Sequence, residues 1–246
     1  MKRVIGYVLS LIHHLLFFSF LVIFQPIQWL SLKIGGYKAH KKSVDALNFC
    51  LLISYYALGC SIKFNFAVDL PTNRPIIFVA NHQSMYDIPP LIFFLRKYHA
   101  KFISKIELTK NIPSISFNLK YGGGANIDRS DRKQAVAEIL KLGQRMHENC
   151  WSAVIFAEGT RSKDGKIKDF QVGGIATILK KAPDALIVPI AIENSWKMVR
   201  YGLFWLNPFV PIKFTVLKPI DPAGKDIELV VKEAELLVRA VVEKQD

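Results

Sequence analysis

No charged side chain interrupts the chain from Val4 to Leu32. A run that long and apolar has few destinations, and one of them is a bilayer. Read from sequence, Pro26 divides it and leaves about twenty residues ahead, enough to cross a membrane as a helix. A second uncharged stretch, Ala46 to Ile62, is near the lower limit for crossing. Lys33, Lys38, His40, Lys41 and Lys42 lie between the two. No small-residue cleavage site follows the first run, which argues against a removed signal peptide. Lysine and arginine favour the cytoplasmic side. Two full spans would put the central lysines on the wrong side, and a single span would separate Lys2 and Arg3 from the rest. A helical hairpin dipping into one leaflet keeps all the basic regions together, so it is favoured. Spanning by the first segment is one alternative; a buried helix pair packed on the folded domain is the less attractive one, because the two stretches are so uniformly apolar. His13 and His14 read as polar residues on a helix face rather than ligands.

Residues 1–60 are therefore expected to form a membrane-associated helical hairpin, and 61–246 the folded domain. After residue 60 the pattern changes. Ile62, Phe64, Phe66 and Val68 alternate with Ser61, Lys63, Asn65 and Ala67, the period of a half-buried strand. Further strands are predicted near 75–80, 100–104, 124–128, 153–157, 185–191 and 212–218. Helices are predicted over 89–97, 112–120, 131–148, 172–182 and 226–243. Such alternation implies an α/β fold with a mostly parallel central sheet flanked by helices.

The chain of 246 residues carries a formal charge of +13. The excess lies in the first 134 residues, which hold seventeen Lys and Arg against six Asp and Glu. Basic surface suits anionic headgroups, phosphate substrates or an acidic carrier protein. No nucleic-acid module is recognisable, so nucleic acid ranks low as a partner. The three cysteines, Cys50, Cys60 and Cys150, form neither a disulfide framework nor a metal-ligand spacing, as suits a reducing compartment.

Chemistry concentrates where apolar runs end. The run Pro75–Ala80 is followed by Asn81-His82-Gln83-Ser84-Met85-Tyr86-Asp87. Histidine is the usual general base near neutral pH, and a carboxylate its usual orienter. On one continuous helix, positions five apart point about 140° away from each other. Pro89 and Pro90 favour a turn over 82–88 with a helix beginning after it. The plainer reading makes Asp87 a helix cap only. If Ser84 is not a nucleophile, His82 must activate a hydroxyl on the substrate. A second apolar run, Ala153–Phe156, leads into Glu158-Gly159-Thr160-Arg161-Ser162. A flexible glycine, a hydroxyl and a guanidinium there can bring N–H groups and an arginine fork to a phosphate. Gly122-Gly123-Gly124 precedes a third run that ends at Arg129, for which an ion pair with Asp128 or Asp131 is the competing reading. The run Leu186–Ile190 carries Pro189, read as lying near the strand's end.

These four segments, in this order, resemble the blocks of the glycerolipid acyltransferase family, the 1-acylglycerol-3-phosphate acyltransferases in particular. Asn81, His82 and Asp87 match the first block, Gly124 through Arg129 the second, and Phe156 with Glu158–Ser162 the third. The stretch around Pro189 matches the fourth. Lys105, Glu107 and Leu108 match a smaller feature of the family. Ala157 replaces the family's usual proline, a change expected to loosen the turn without removing a chemical group. The resemblance covers about residues 60–220.

What it implies is transfer of a fatty acyl group from a thioester, acyl-CoA or acyl carrier protein, to the free hydroxyl of lysophosphatidic acid, giving phosphatidic acid. His82 would be the general base and Asp87 its orienter. Lys105, Arg129, Glu158, Gly159, Thr160 and Arg161 would form the phosphate site. Glu158 sits awkwardly there, since a carboxylate repels phosphate, and it is read as orienting Arg161 or a backbone N–H. No metal or other cofactor is expected. The expected location is a membrane surface, preferably anionic, with the domain on the cytoplasmic face and inserted in one leaflet. Glycerol phosphate, a lysophospholipid or an aminolipid are alternative acceptors, and a non-catalytic membrane-binding protein is the rival class. Residues 196–209 hold Trp196, Tyr201, Phe204, Trp205 and Phe209, which suit a second membrane contact, a core-facing loop or a wall of the acyl pocket.

Overall fold

Among the described residues, seven strands form one sheet in the order β1-β7-β6-β2-β5-β3-β4. The computed structural model of the chain describes residues 2–243. In chain order the strands are β1 (Ser61–Phe66), β2 (Ile76–Ala80), β3 (Ala100–Lys105), β4 (Ala125–Ile127), β5 (Ser152–Phe156), β6 (Leu186–Glu193) and β7 (Pro211–Val216). Strands β6, β2, β5, β3 and β4 run parallel. β7 pairs antiparallel with β6 and parallel with β1.

The central strands are apolar on both sides because both sides are covered. All five residues of β2 are buried. Ile76, Phe78 and Ala80 belong to one core, with Val154, Val188, Ile190 and Phe214. Ile77 and Val79 belong to the other, with Ala153, Ile155 and Ile187. The second core is closed by the helices α4 (Arg132–Asn149), α5 (Val172–Leu179) and α7 (Ile227–Val242). Asp131 caps α4 by accepting the Gln134 N–H at 3.0 Å. The first core is closed by α2 (Ile88–Phe94) and by the long α1 (Lys2–Ala57).

α1 departs from the sequence expectation at one point. The helix runs through Pro26 and breaks instead at Gly36, whose φ of 63° and ψ of −161° are non-helical. Proline removes one helix hydrogen bond and can kink a helix. A positive φ combined with extended ψ reverses the chain and favours glycine. The arms on either side of Gly36 touch. His13 Nδ1 lies 2.9 Å from the Ser54 carbonyl, and Phe17 and Leu21 share a core with Leu47, Leu51 and Tyr55. By length and composition α1 can cross a membrane, and only 22% of its most apolar window is buried. The side chains of Lys2 and Arg3, on which the topology expectation partly rests, lie outside the described residues.

Pro189 also sits differently from expectation. β6 continues three residues beyond Ile190 to Glu193, so the proline is in mid-strand. It accepts from Leu217 N at 2.9 Å, on the β7 side, but pairing with β7 begins only at Ile190. The missing N–H therefore interrupts no continuous ladder there. Short helices α3 (Ile115–Tyr121) and α6 (Ser195–Met198) complete the fold.

Candidate active site

β2 ends at Ala80, and the chain turns at once into a 3-10 helix, Met85–Asp87, that leads into α2. The turn is set by a capping box. Ser84 Oγ accepts the Tyr86 N–H at 3.1 Å, and Asp87 accepts the Ser84 N–H at 3.0 Å. Such reciprocal bonds satisfy the free donors at a helix start. Pro89 and Pro90 fill the first turn of α2, where a missing N–H costs nothing.

The turn folds His82 back onto Asp87. His82 Nδ1 lies 2.8 Å from Asp87 Oδ2. The same oxygen accepts the Gln83 N–H at 2.7 Å. Asp87 Oδ1 accepts from Ser195 Oγ and, at 3.4 Å, from Ser84 Oγ. Asp87 is fully buried, so this ring of donors stabilises its charge in place of water. Asp87 is thus not a cap for α2, to which its side chain makes no capping bond. It closes the preceding turn and orients His82 at once.

The imidazole is held from a second direction. Its ring stacks on Phe156 at 3.8 Å between centroids, with planes 13° apart. That contact follows from the register, since Ala80 on β2 pairs with Phe156 on β5. With Nδ1 directed at Asp87, Nε2 is the ring nitrogen left without a hydrogen bond among the described residues, on a side chain 14% exposed. Ser84 is almost wholly buried, and its hydroxyl is engaged with Asp87, Tyr86 N and Ser195.

The loop after β5 is tied to the same turn. Glu158 Oε1 accepts the His82 N–H at 2.8 Å, and Oε2 accepts the Lys168 N–H at 3.0 Å. Ser162 N donates to the His82 carbonyl at 2.8 Å. Burial pushes the Glu158 carboxyl up, against the lowering effect of those two N–H donors and of nearby Lys168 and His82. With both oxygens on backbone donors, Glu158 belongs to the frame that holds two loops together rather than to a phosphate contact. Gly159 has a φ of 69° with open space where a Cβ would stand, so the turn itself demands glycine. Ala157 donates its N–H to Ala80 O at 3.0 Å, which extends the ladder between β2 and β5. A proline could not make this bond, so the alanine tightens this turn instead of loosening it.

The basic residues singled out from sequence lie beside these loops. Arg161 and Thr160 are exposed on the loop after β5, Lys105 is exposed at the end of β3, and Arg129 is exposed two residues beyond β4. Because these strands run parallel to β2, these three segments and the His82 turn emerge at the carboxyl edge of the sheet, where α/β proteins place ligands. Among the described residues no ion pair joins Arg129 to Asp128 or Asp131; Asp128 Oδ1 accepts from Ser130 instead. Lys168, not anticipated from sequence, reaches back to Thr160 Oγ1 at 2.8 Å and the Arg161 carbonyl at 3.2 Å. Ser195 was equally unmarked. Its only signal in the sequence is its place just after a buried strand that ends at the same edge.

Comparison with known proteins identifies the family and the fold. A family model described as Acyltransferase matches residues 61–193, just over half of the chain. The chloroplastic 1-acyl-sn-glycerol-3-phosphate acyltransferase LPAT1 of Arabidopsis thaliana is 29% identical over 160 residues, 65% of this chain and 43% of that protein. The 1-acyl-sn-glycerol-3-phosphate acyltransferase of Helicobacter pylori is 35% identical over 126 residues, half of each chain. The matched region is thus under half of the length of the plant relative. The crystal structure of the 1-acyl-sn-glycerophosphate acyltransferase PlsC from Thermotoga maritima superposes with a TM-score of 0.82, covering 100% of this chain and 98% of that one. At 24% identity, that likeness is one of fold.

Proposed function

This chain belongs to the acyltransferase family, and from that membership and the His82–Asp87 pair we propose that it esterifies the free hydroxyl of lysophosphatidic acid with an acyl group from a thioester. The observation that carries the reading is the orientation of His82. Nδ1 is fixed on a buried carboxylate, so Nε2 is the nitrogen presented to substrate, and among the described residues no hydroxyl is hydrogen-bonded to the imidazole.

The steps follow from these groups. His82 Nε2 takes the proton of the acceptor hydroxyl as its oxygen attacks the thioester carbonyl. Asp87 stabilises the imidazolium that results. The C–O bond forms, the C–S bond breaks, and His82 returns its proton to the departing thiolate. Arg161, Arg129 and Lys105 bind the acceptor phosphate along the sheet edge, with Thr160 adding a hydroxyl. The thioester is acyl-CoA or acyl carrier protein, and the basic surface suits the anionic character of either. The exposed apolar side of α1, including Leu11, Leu15, Phe18, Val22 and Ile23, docks the cleft on a membrane. The domain then faces the cytoplasm and the arms enter one leaflet.

The test is to offer the purified protein lysophosphatidic acid, glycerol phosphate, a neutral lysophospholipid and an aminolipid with each donor, and to identify products by mass spectrometry. Phosphatidic acid is the expected main product. Arg161→Ala should raise KM for the phosphate-bearing acceptor more than for the donor, and lysine there should recover only part, since it lacks the planar fork. Preferential acylation of an acceptor without a phosphate would overturn the substrate assignment.

A further inference from the structure

The end of β6 is fastened to the His82 turn at three points. Asn81 exchanges two bonds with Ile192, donating to its carbonyl at 2.9 Å and accepting its N–H at 2.7 Å. Gln83 Oε1 accepts the Trp196 N–H at 3.5 Å. Between these two, Asn194 takes a left-handed conformation, φ 70°, and anchors itself by donating to Pro211 O at 3.0 Å. That reversal turns the next residue inward. Ser195 is fully buried, its hydroxyl donates to Asp87 Oδ1, and it lies 3.2 Å from the Ser84 hydroxyl.

Asp87 is thereby held from two sides by different parts of the chain. Oδ2 is occupied by donors of its own turn and by His82. Oδ1 depends on hydroxyls, and the nearer of the two comes from a segment 108 residues away in sequence. A carboxylate pinned at one oxygen only can still rotate about its own bond and carry the imidazole off its line. A donor on the second oxygen fixes that rotation and spreads the negative charge.

We propose that Ser195 is a positioning residue of the transfer reaction, fixing the plane of the Asp87 carboxylate and thereby the direction in which His82 Nε2 points. This deepens the proposed function and rests on His82 being the base. Ser195 touches neither substrate nor the reacting atoms. Its hydroxyl acts through charge as well as geometry. Without it, more of the carboxylate's charge falls on the bond to His82 and favours the imidazolium. The acid limb of the rate profile then moves to higher pH, because a base must be free of its proton to work.

The experiment compares wild type, Ser195→Ala and Ser195→Thr in neutral detergent, with thermal melts to establish folding. Ser195→Ala should lower kcat about 10- to 100-fold with KM for both substrates within about twofold, the pattern of an interaction that matters in the transition state. Its acid limb should rise by about half a pH unit or more. Threonine should restore both. If its methyl group prevents folding, Ser195→Cys, with a weaker donor, should give intermediate values. A second readout needs no substrate: the midpoint of the His82 ring-proton titration by NMR should rise in folded Ser195→Ala. An unmoved midpoint overturns the proposal whatever the enzyme acylates. Failure of wild type to acylate any acceptor would instead overturn the functional reading and leave the titration to decide the role of Ser195.

Discussion

At the scale of residues, the site works by separating two duties that one carboxylate performs. Asp87 closes a turn through the Ser84 N–H and orients an imidazole through the same oxygen. Asparagine can keep the first duty, because its carbonyl can accept from the N–H groups while its amide donates to the hydroxyls of Ser84 and Ser195. It cannot supply the charge that stabilises an imidazolium. Asp87→Asn should therefore melt within a few degrees of wild type while losing about 10²-fold or more in kcat. His82→Ala should lose about 10²–10⁴-fold and still bind acceptor. Normal turnover in folded Asp87→Asn would reduce Asp87 to a turn-closing residue. The spacing of this pair was legible because both partners sit in one seven-residue turn. The roles of Ser195 and Lys168 were not, since each depends on which loops and strands lie side by side. For Glu158, grouped with the phosphate site yet read as orienting Arg161 or a backbone N–H, the structure selects the backbone, with its oxygens on the N–H groups of His82 and Lys168.

At the scale of elements, strand and helix positions were readable from apolar period and punctuation, while the interruption of α1 was not. Proline is the stronger signal in sequence, yet Gly36 makes the break, because reversing direction needs a positive φ. Just beyond it, Tyr37 stacks on Trp151 and bonds His99 Nε2 at 2.7 Å, which joins α1 to the start of β3. Lys101 is buried in this joint, its ammonium 5.1 Å from the Tyr37 ring and 4.9 Å from Trp151. Burial above all, then Lys41 and Arg145, holds the Lys101 amine down to about 7, with Asp45 acting the other way. The unfolded chain keeps its proton to about 10.4. Between these values the unfolded state binds more protons, so this residue makes stability rise as pH climbs from about 7 to about 10. Lys101→Met should remove that rise. It should also stabilise the protein at pH 6 by up to a few kcal/mol, less the lost cation–π contacts. Urea unfolding of both proteins at pH 6, 8 and 10 measures the difference, and parallel pH dependences would assign the burden elsewhere.

At the scale of the whole molecule, the long apolar helix α1 and the central sheet share one core. Phe17, Leu21, Leu51 and Tyr55 of α1 pack in the same cluster as Phe78, Val188 and Phe214, and Tyr55 Oη donates to the Tyr86 carbonyl in the active-site turn at 2.9 Å. Deleting residues 1–58 would strip a wall from that core, so membrane release is better tested on exposed side chains. Replacing Leu11, Leu15, Phe18 and Val22 with serine should leave the core intact, release the protein from vesicles and lower activity on vesicle-borne acceptor. Lys41 is already paired with Asp45 at 2.6 Å, which leaves Lys33, Lys38 and Lys42 exposed for headgroups. Neutralising those three should weaken binding to anionic vesicles by about 3 kcal/mol at low salt, near 1 kcal/mol each, with little effect on neutral vesicles. Full sedimentation of the serine variant would place docking on another surface. The order of the parallel strands has its own consequence. His82 follows β2, Arg161 lies in the loop after β5, Lys105 ends β3 and Arg129 stands just beyond β4, the next three strands in turn. Neighbouring strands are about 4.8 Å apart, so the edge is a ruler with fixed graduations. On the proposed chemistry, the positions of the cations that share the phosphate set how far along the acceptor the hydroxyl must lie. Hydroxyl selectivity would then change by moving a cation one graduation along, with no need to reshape the cleft.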